Sequence, residues 1–175
     1  MHSFAAGSSV RHRVFVSYHH GGDRGYYQAF SNAFHDRHDV IYDNSVEREI
    51  DSEDQEYVIR RIRENFITGS SCTIVLVGRD TWGRKYVDWE IKATLDKGHG
   101  LIGVFLPTAA RVPNDNTKIL VPARLHDNIE SGLELWTSWE ALTASTSSLD
   151  RAVIAAKAAN TGLIVNSRER RTVNA

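Results

Sequence analysis

Apolar and polar positions come in blocks along the chain, and the blocks follow two periods. Arg13-Val14-Phe15-Val16-Ser17-Tyr18 is a β-branched and aromatic run and predicts a strand. His19 to Gly25 then holds three glycines and predicts a loop, after which Tyr26, Phe30, Ala33 and Phe34 recur at helical spacing. Val40-Ile41-Tyr42 predicts a shorter second strand, followed by a polar loop from Asp43 to Asp51. Ser52 with Gln55 three residues later has the form of a capping box. Ile59, Ile62 and Phe66 mark the stripe of the helix it opens, with Gly69 as its stop. Cys72-Thr73-Ile74-Val75-Leu76-Val77 is apolar without alternation, as expected of a strand covered on both faces. A helix carrying Glu90 follows and ends at Gly98, and Leu101-Ile102-Gly103-Val104-Phe105-Leu106 is the fourth strand, closed by Pro107. The order βαβαβαβ predicts an α/β fold, a parallel sheet with helices on both faces. Beyond Pro107 the pattern weakens into an irregular polar stretch over 107–132. Leu133-Glu134-Leu135-Trp136 predicts a last edge strand, and a helix runs from about Ser148 to Asn160, with Leu149, Val153 and Ala156 inward and Gly162 at its end.

The Glu90 helix has an unusual distribution of faces. At about 100° per residue, Trp82, Tyr86, Trp89 and Ala93 fall on an aromatic face, and Val87, Ile91 and Leu95 on an aliphatic one. Asp88, Lys92 and Asp96 form the polar sector, whereas Glu90 sits with Thr94 between the two apolar faces. A helix that only solvates itself would place its acid with the other charges. Two explanations stand on the residues alone: Glu90 pairs with an arginine from a neighbouring element, or it does chemistry.

The 175 residues make one domain, with residues 1–10 a loose end and 166–175 a polar tail. Lys plus Arg number 21 against 22 Asp plus Glu, so no global field recruits nucleic acid or an anionic membrane. The longest basic run, Arg168-Glu169-Arg170-Arg171, is expected to be solvated. Cys72 is the one cysteine and lies in an apolar run, which fits a buried, inert thiol in a reducing compartment. Met1 to Ser9 lacks the basic start and apolar stretch of a signal peptide, and no segment approaches the ~20 apolar residues of a membrane span. The expected location is cytoplasmic.

An open parallel sheet binds ligands beyond the carboxyl ends of its strands, here the loops 17–25, 43–52, 78–82 and 107 onward. Gly21, Gly22 and Gly25 do not fit a dinucleotide fingerprint and no G-K-[ST] follows, so loop 17–25 is either a generic turn or a loop that approaches a phosphate. His19-His20 and His35-x-x-His38 lack partners at zinc-site spacing; no metal is expected, and His35 and His38 predict a solvated helix end. There is no G-x-S-x-G elbow, and Asp23 stands alone where a phosphoacceptor needs an acidic cluster. One carboxylate in an apolar slot does suit cleavage of an N-glycosidic bond, whose oxocarbenium-like state it stabilises as charge develops on the sugar. Nicotinamide leaves NAD+ as a neutral molecule, so no acid is needed to protonate the leaving group. One Glu is enough.

These residues resemble the TIR domains. Residues 13–18 are similar to the TIR opening strand, an apolar stretch ending in Ser-Tyr, and Tyr86-Val87-Asp88-Trp89-Glu90-Ile91 to the motif in which an aromatic residue precedes a Glu by four. Val121-Pro122-Ala123-Arg124-Leu125-His126-Asp127-Asn128-Ile129 resembles, more narrowly, TIR-like proteins of bacterial Thoeris antiphage defence. The similarity spans 13–165 within a TIR-like domain of residues 11–165, and implies a flavodoxin-like single-domain sheet. It departs from the family in having Tyr86 where Trp is usual, with Trp89 beside the acid, and in its loop 19–25. The resemblance implies an NAD+-cleaving enzyme, an NADase of glycohydrolase or ADP-ribosyl cyclase type, with Glu90 catalytic. Ser17, Tyr18, Asp43 and Tyr86 would line the NAD+ pocket; His19, His20, Asp127 and Asn128 are weaker candidates. NAD+ is the substrate and no cofactor is implied. The ADP-ribose would pass to water, to its own adenine side as a cyclic isomer, or to another acceptor. In such systems the product is a nucleotide signal for a separate effector protein after phage infection. A phage-derived trigger and a homo-oligomer are the other partners it suggests. The alternative is a TIR-like interaction or nucleotide-sensing module that catalyses nothing.

Overall fold

The computed structural model describes residues 11–36, 38–41 and 54–175. Five parallel strands form one sheet: β1 (His12–Ser17), β2 (His38–Ile41), β3 (Cys72–Val77), β4 (Gly100–Phe105) and β7 (Leu135–Ser138). Their spatial order is β2-β1-β3-β4-β7, the doubly wound order of flavodoxin-like folds. A short antiparallel hairpin, β5 (Arg111–Val112) with β6 (Asp115–Ile119), stands apart. The helices are α1 (His20–Phe34), α2 (Gln55–Ile62), α3 (Lys85–Asp96), α4 (Ala123–Glu130), α5 (Trp139–Thr143) and α6 (Thr146–Lys157).

Burial follows the pleat. Val14, Val16, Cys72, Ile74, Leu76, Ile102 and Val104 face one layer, where Tyr27, Phe30 and Phe34 of α1 meet Leu149 and Val153 of α6. The alternate residues face the other layer, which holds α3. There the side chains divide into two clusters: Phe15 with Ile59, Ile62, Phe66, Trp89 and Ala93, and Val75 and Val77 with Val87, Ile91 and Leu95. The aromatic and aliphatic faces predicted for the Glu90 helix each bury in their own cluster, except that Trp82 belongs to a short turn before the helix. One turn of π-helix over Arg63–Ile67 extends α2 and keeps Phe66 and Ile67 buried.

The structure corrects several expectations. His20 to Gly25 is not a loop but the first turns of α1, whose Gly22 and Asp23 N–H groups donate to the His19 carbonyl. The buried stripe is Asp23, Tyr27, Phe30, Ser31 and Phe34, so Tyr27 and not Ala33 completes it. His38 is no solvated helix end: it opens β2, is fully buried, and lies 2.8 Å from the Asp150 carboxylate. Asp54 caps α2 by accepting from the Glu56 and Tyr57 N–H groups, while Ser52, Tyr42 and the loop 43–51 lie outside the described residues. The stretch 107–132 contains both the hairpin and α4. The tail is not simply solvated, as described below.

Glu134, just before β7, is an acid that the fold strains to keep. Its carboxylate lies against Gly103 of β4, where any Cβ would overlap it, and both oxygens are buried without a partner among the described residues. Burial pushes its carboxyl well above the ordinary range. The folded chain therefore holds a proton that the unfolded chain has already lost, and stability falls as pH rises from the ordinary carboxylate range through the raised folded value. Glu134→Met should add about 1–3 kcal/mol near neutral pH and flatten this dependence. Urea unfolding of both proteins at pH 5 and pH 8 checks it; equal pH slopes would refute it.

Candidate functional site

A polar seam crosses the apolar layer between α3 and the sheet. Ser17, the last residue of β1, donates its hydroxyl to Glu90 Oε2. One helical turn later, Thr94 Oγ1 donates to the Glu90 carbonyl at 2.9 Å and meets Thr73 Oγ1 of β3 at 2.7 Å. Since the Thr94 proton is spent on the carbonyl, Thr73 is the donor to Thr94. The register explains why both bonds close. Ser17 lies level with Val75, two residues beyond Thr73, a step of about 6.6 Å along the strands. Four helical residues advance about 6 Å, so Glu90 and Thr94 match the two hydroxyls. All four side chains are buried, Glu90 to 3% exposure and Ser17 to 0%. The structure thus shows why an acid and a threonine stand between two apolar faces.

Of the residues predicted to share this site, the structure brings Ser17 to Glu90 and turns Tyr18 away. Strand alternation sends Tyr18 to the opposite layer, where its ring stacks on Tyr27 at 4.5 Å and its hydroxyl lies 3.3 Å from His20 Nδ1. Tyr18 therefore lies across the sheet from Glu90, with His20 beside it. Tyr86, one turn before Glu90, is half-buried with its ring edge against Trp89 at 5.2 Å. Asp43 lies outside the described residues. His19 precedes α1 with its ring folded over Gly21 and Gly22. Asp127 and Asn128 engage the C-terminal residues instead: Asp127 pairs with Arg168 at 2.8 Å, which holds its carboxyl below the usual range, and Asn128 bonds Val165.

A second buried acid at the same edge escaped the sequence. Asp23 of α1 is 2% exposed and accepts from Thr81 Oγ1 at 3.0 Å, while Thr81 Oγ1 accepts from the Gly78 N–H at 2.9 Å. Burial raises its carboxyl above the ordinary value, against the opposing effects of the Thr81 bond and His19. Gly78 is required there, because a Cβ would overlap the Asp23 carboxylate. This clasp ties α1 to the loop that leads into α3. A lone acid in a glycine-rich segment gave only a weak sign of it. Among the described residues no three His, Cys, Asp or Glu side chains converge as a metal site, and no helix is long and apolar enough to cross a membrane.

The family model for the TIR-like domain of the Thoeris protein ThsB matches residues 15–111, more than half of the chain. The chain belongs to the ThsB TIR-like family. The match runs from β1 into β5 and so contains both Ser17 and Glu90, whereas the stretch 121–129 lies beyond it. Membership places this ThsB-like chain in TIR-type antiphage defence, a system with partner effector proteins. No curated protein matches the chain.

Proposed function

We propose that this ThsB-like chain cleaves NAD+ with Glu90 as the catalytic carboxylate. The observation that carries the proposal is the Glu90 carboxylate, set at the carboxyl edge of a parallel sheet and oriented by the Ser17 hydroxyl. In the reaction the bond between the ribose C1′ and the nicotinamide nitrogen breaks. Its electron pair goes to the pyridinium, which leaves neutral, and positive charge grows on the ribose. An ionised Glu90 stabilises that charge while the acceptor adds to C1′: water bonds through its oxygen and loses a proton to solvent, or an adenine nitrogen of the same molecule bonds through its lone pair. Ser17 contributes by fixing the carboxylate in one orientation. Tyr86 is proposed as a pocket wall one helical turn away, and Asp43 as a further residue lining the NAD+ pocket. The product is proposed to be an ADP-ribose derivative, a cyclic isomer where the adenine is the acceptor, acting as the signal to a separate effector.

The test is to incubate purified protein with NAD+, with and without phage-infected cell extract, and to quantify nicotinamide. Because Glu90 is almost wholly buried, dilute resting protein should turn over little NAD+, and the extract should raise the rate. Robust turnover by dilute, untriggered protein would contradict the resting state. No nicotinamide under either condition would favour the interaction-module reading.

A further inference from the structure

The C-terminal residues lie across the outer side of α3, in a groove built to hold them. After the turn at Thr161–Leu163, Asn128 of α4 reads the backbone of Val165 in both directions, accepting from its N–H at 3.0 Å and donating to its carbonyl at 2.8 Å. Arg124 of α4 is fully buried, holds Asp88 of α3 at 2.9 Å, and donates to the Asn166 side chain and the Glu169 carbonyl. The segment then follows α3 towards its start. Arg171 N–H donates to Asp88 and the Arg171 carbonyl accepts from Trp89 Nε1 at 2.8 Å, while Asn174 Oδ1 accepts from the Lys85 N–H at 2.9 Å. Two ion pairs fasten its outward side, Arg168 to Asp127 on α4 and Arg170 to Glu56 on α2.

This is recognition of an extended backbone by preset side chains, and it is reversible by its chemistry. Of the strap's apolar side chains only Ile164 packs against the core; Val165 and Val173 are exposed, and open clefts of about 680 and 640 Å³ flank it. Polar contacts at a surface exchange readily for water, so such an element opens at low free energy. Its bonds run along α4 and along the whole of α3: Asn166 donates to the Lys92 carbonyl and to Asp96, and three more bonds fall on the first turns, at Lys85, Asp88 and Trp89, the last next to Glu90. Glu90 is shut against Ser17, where no solute reaches it. The strap's bonds to Lys85, Asp88 and Trp89 add to the apolar packing of Val87, Trp89 and Ile91 that seats the start of α3 on the sheet.

We propose that the α3–α4 groove is a receptacle for the chain's own residues 164–174, and that the seated strap holds Glu90 shut against the sheet. Release of the strap opens the site. The consequence for turnover rests on the catalytic reading of Glu90; the consequence for access does not.

The test uses the full chain with Arg168→Glu and Arg170→Glu, which set like charges against Asp127 and Glu56. Carbodiimide labelling with an amine, followed by peptide mass spectrometry, reads access to the Glu90 carboxyl, and hydrogen exchange reads strap release. Exchange over 164–174 and labelling of Glu90 should both rise about tenfold, as expected when two surface ion pairs become repulsive. Adding Asp127→Arg and Glu56→Arg should restore both. A released strap with Glu90 labelling unchanged would overturn the proposal, and so would a strap that stays seated despite the reversal. Nicotinamide release, measured in parallel, judges the catalytic reading separately: silence in every variant would strike that reading and leave the labelling result intact.

Discussion

Replacing Glu90 with glutamine should lower nicotinamide release on the order of 10²-fold or more while the protein stays folded, because the swap removes the charge that faces the developing oxocarbenium. The fold is expected to survive for a specific reason. The glutamine amide oxygen can still accept the Ser17 hydroxyl, and the Thr94 bond is made to the backbone carbonyl of residue 90, not to its side chain. The seam therefore keeps its hydrogen bonds. Ser17→Ala should fall between the wild type and Glu90→Gln, with a loss of about tenfold in kcat and little change in KM, since it frees the carboxylate to turn without removing it. Circular dichroism, melting temperature and nicotinamide release measured on all three proteins make the comparison. Normal turnover by Glu90→Gln would make Glu90 a structural acid and end the catalytic reading.

The parts legible in the sequence are those where burial and period agree. β3 is apolar without a break because helices cover both of its faces, and all six of its residues are buried. The faces of α3 were legible for the same reason, and Glu90 and Thr94 stood out because they broke the pattern. Other elements hide because polar residues take the buried positions. In α4 the buried side chains are Arg124, Leu125 and Asn128, so two of the three carry no apolar signal, and the helix vanishes into an irregular stretch. Asp88 looks solvated by its helical angle but is buried beneath the strap. The strap itself is a basic, polar run whose partners are backbone groups and distant acids, and no local pattern announces such contacts. The glycine-rich start of α1 misleads in the other direction. Glycine lowers helix propensity, but Asp23 fastens that first turn to Thr81 and tertiary contact overrides the propensity.

Trp89→Ala should destabilise the protein by about 3–5 kcal/mol, the cost of a large buried aromatic. Its side chain is 2% exposed and packs with Phe15, Ile62, Phe66 and Ala93, so truncation leaves a cavity in the layer that seats α3. It also removes the indole donor to the Arg171 carbonyl and so loosens the strap. Tyr86, three residues earlier, is only half-buried, its ring edge on Trp89 and the Lys85 ammonium 5.2 Å from its centre. Tyr86→Ala loses less burial and should cost less stability, while its place one turn before Glu90 makes it the better wall for a substrate. The two variants therefore separate two roles that sequence proximity confuses. Urea unfolding should show the large loss in Trp89→Ala, and nicotinamide release at a temperature where both proteins are folded should show the larger rise in KM in Tyr86→Ala. A Tyr86→Ala protein that collapses, beside a Trp89→Ala protein that stays folded yet inactive, would reverse the assignment and make Trp89 the substrate-facing aromatic.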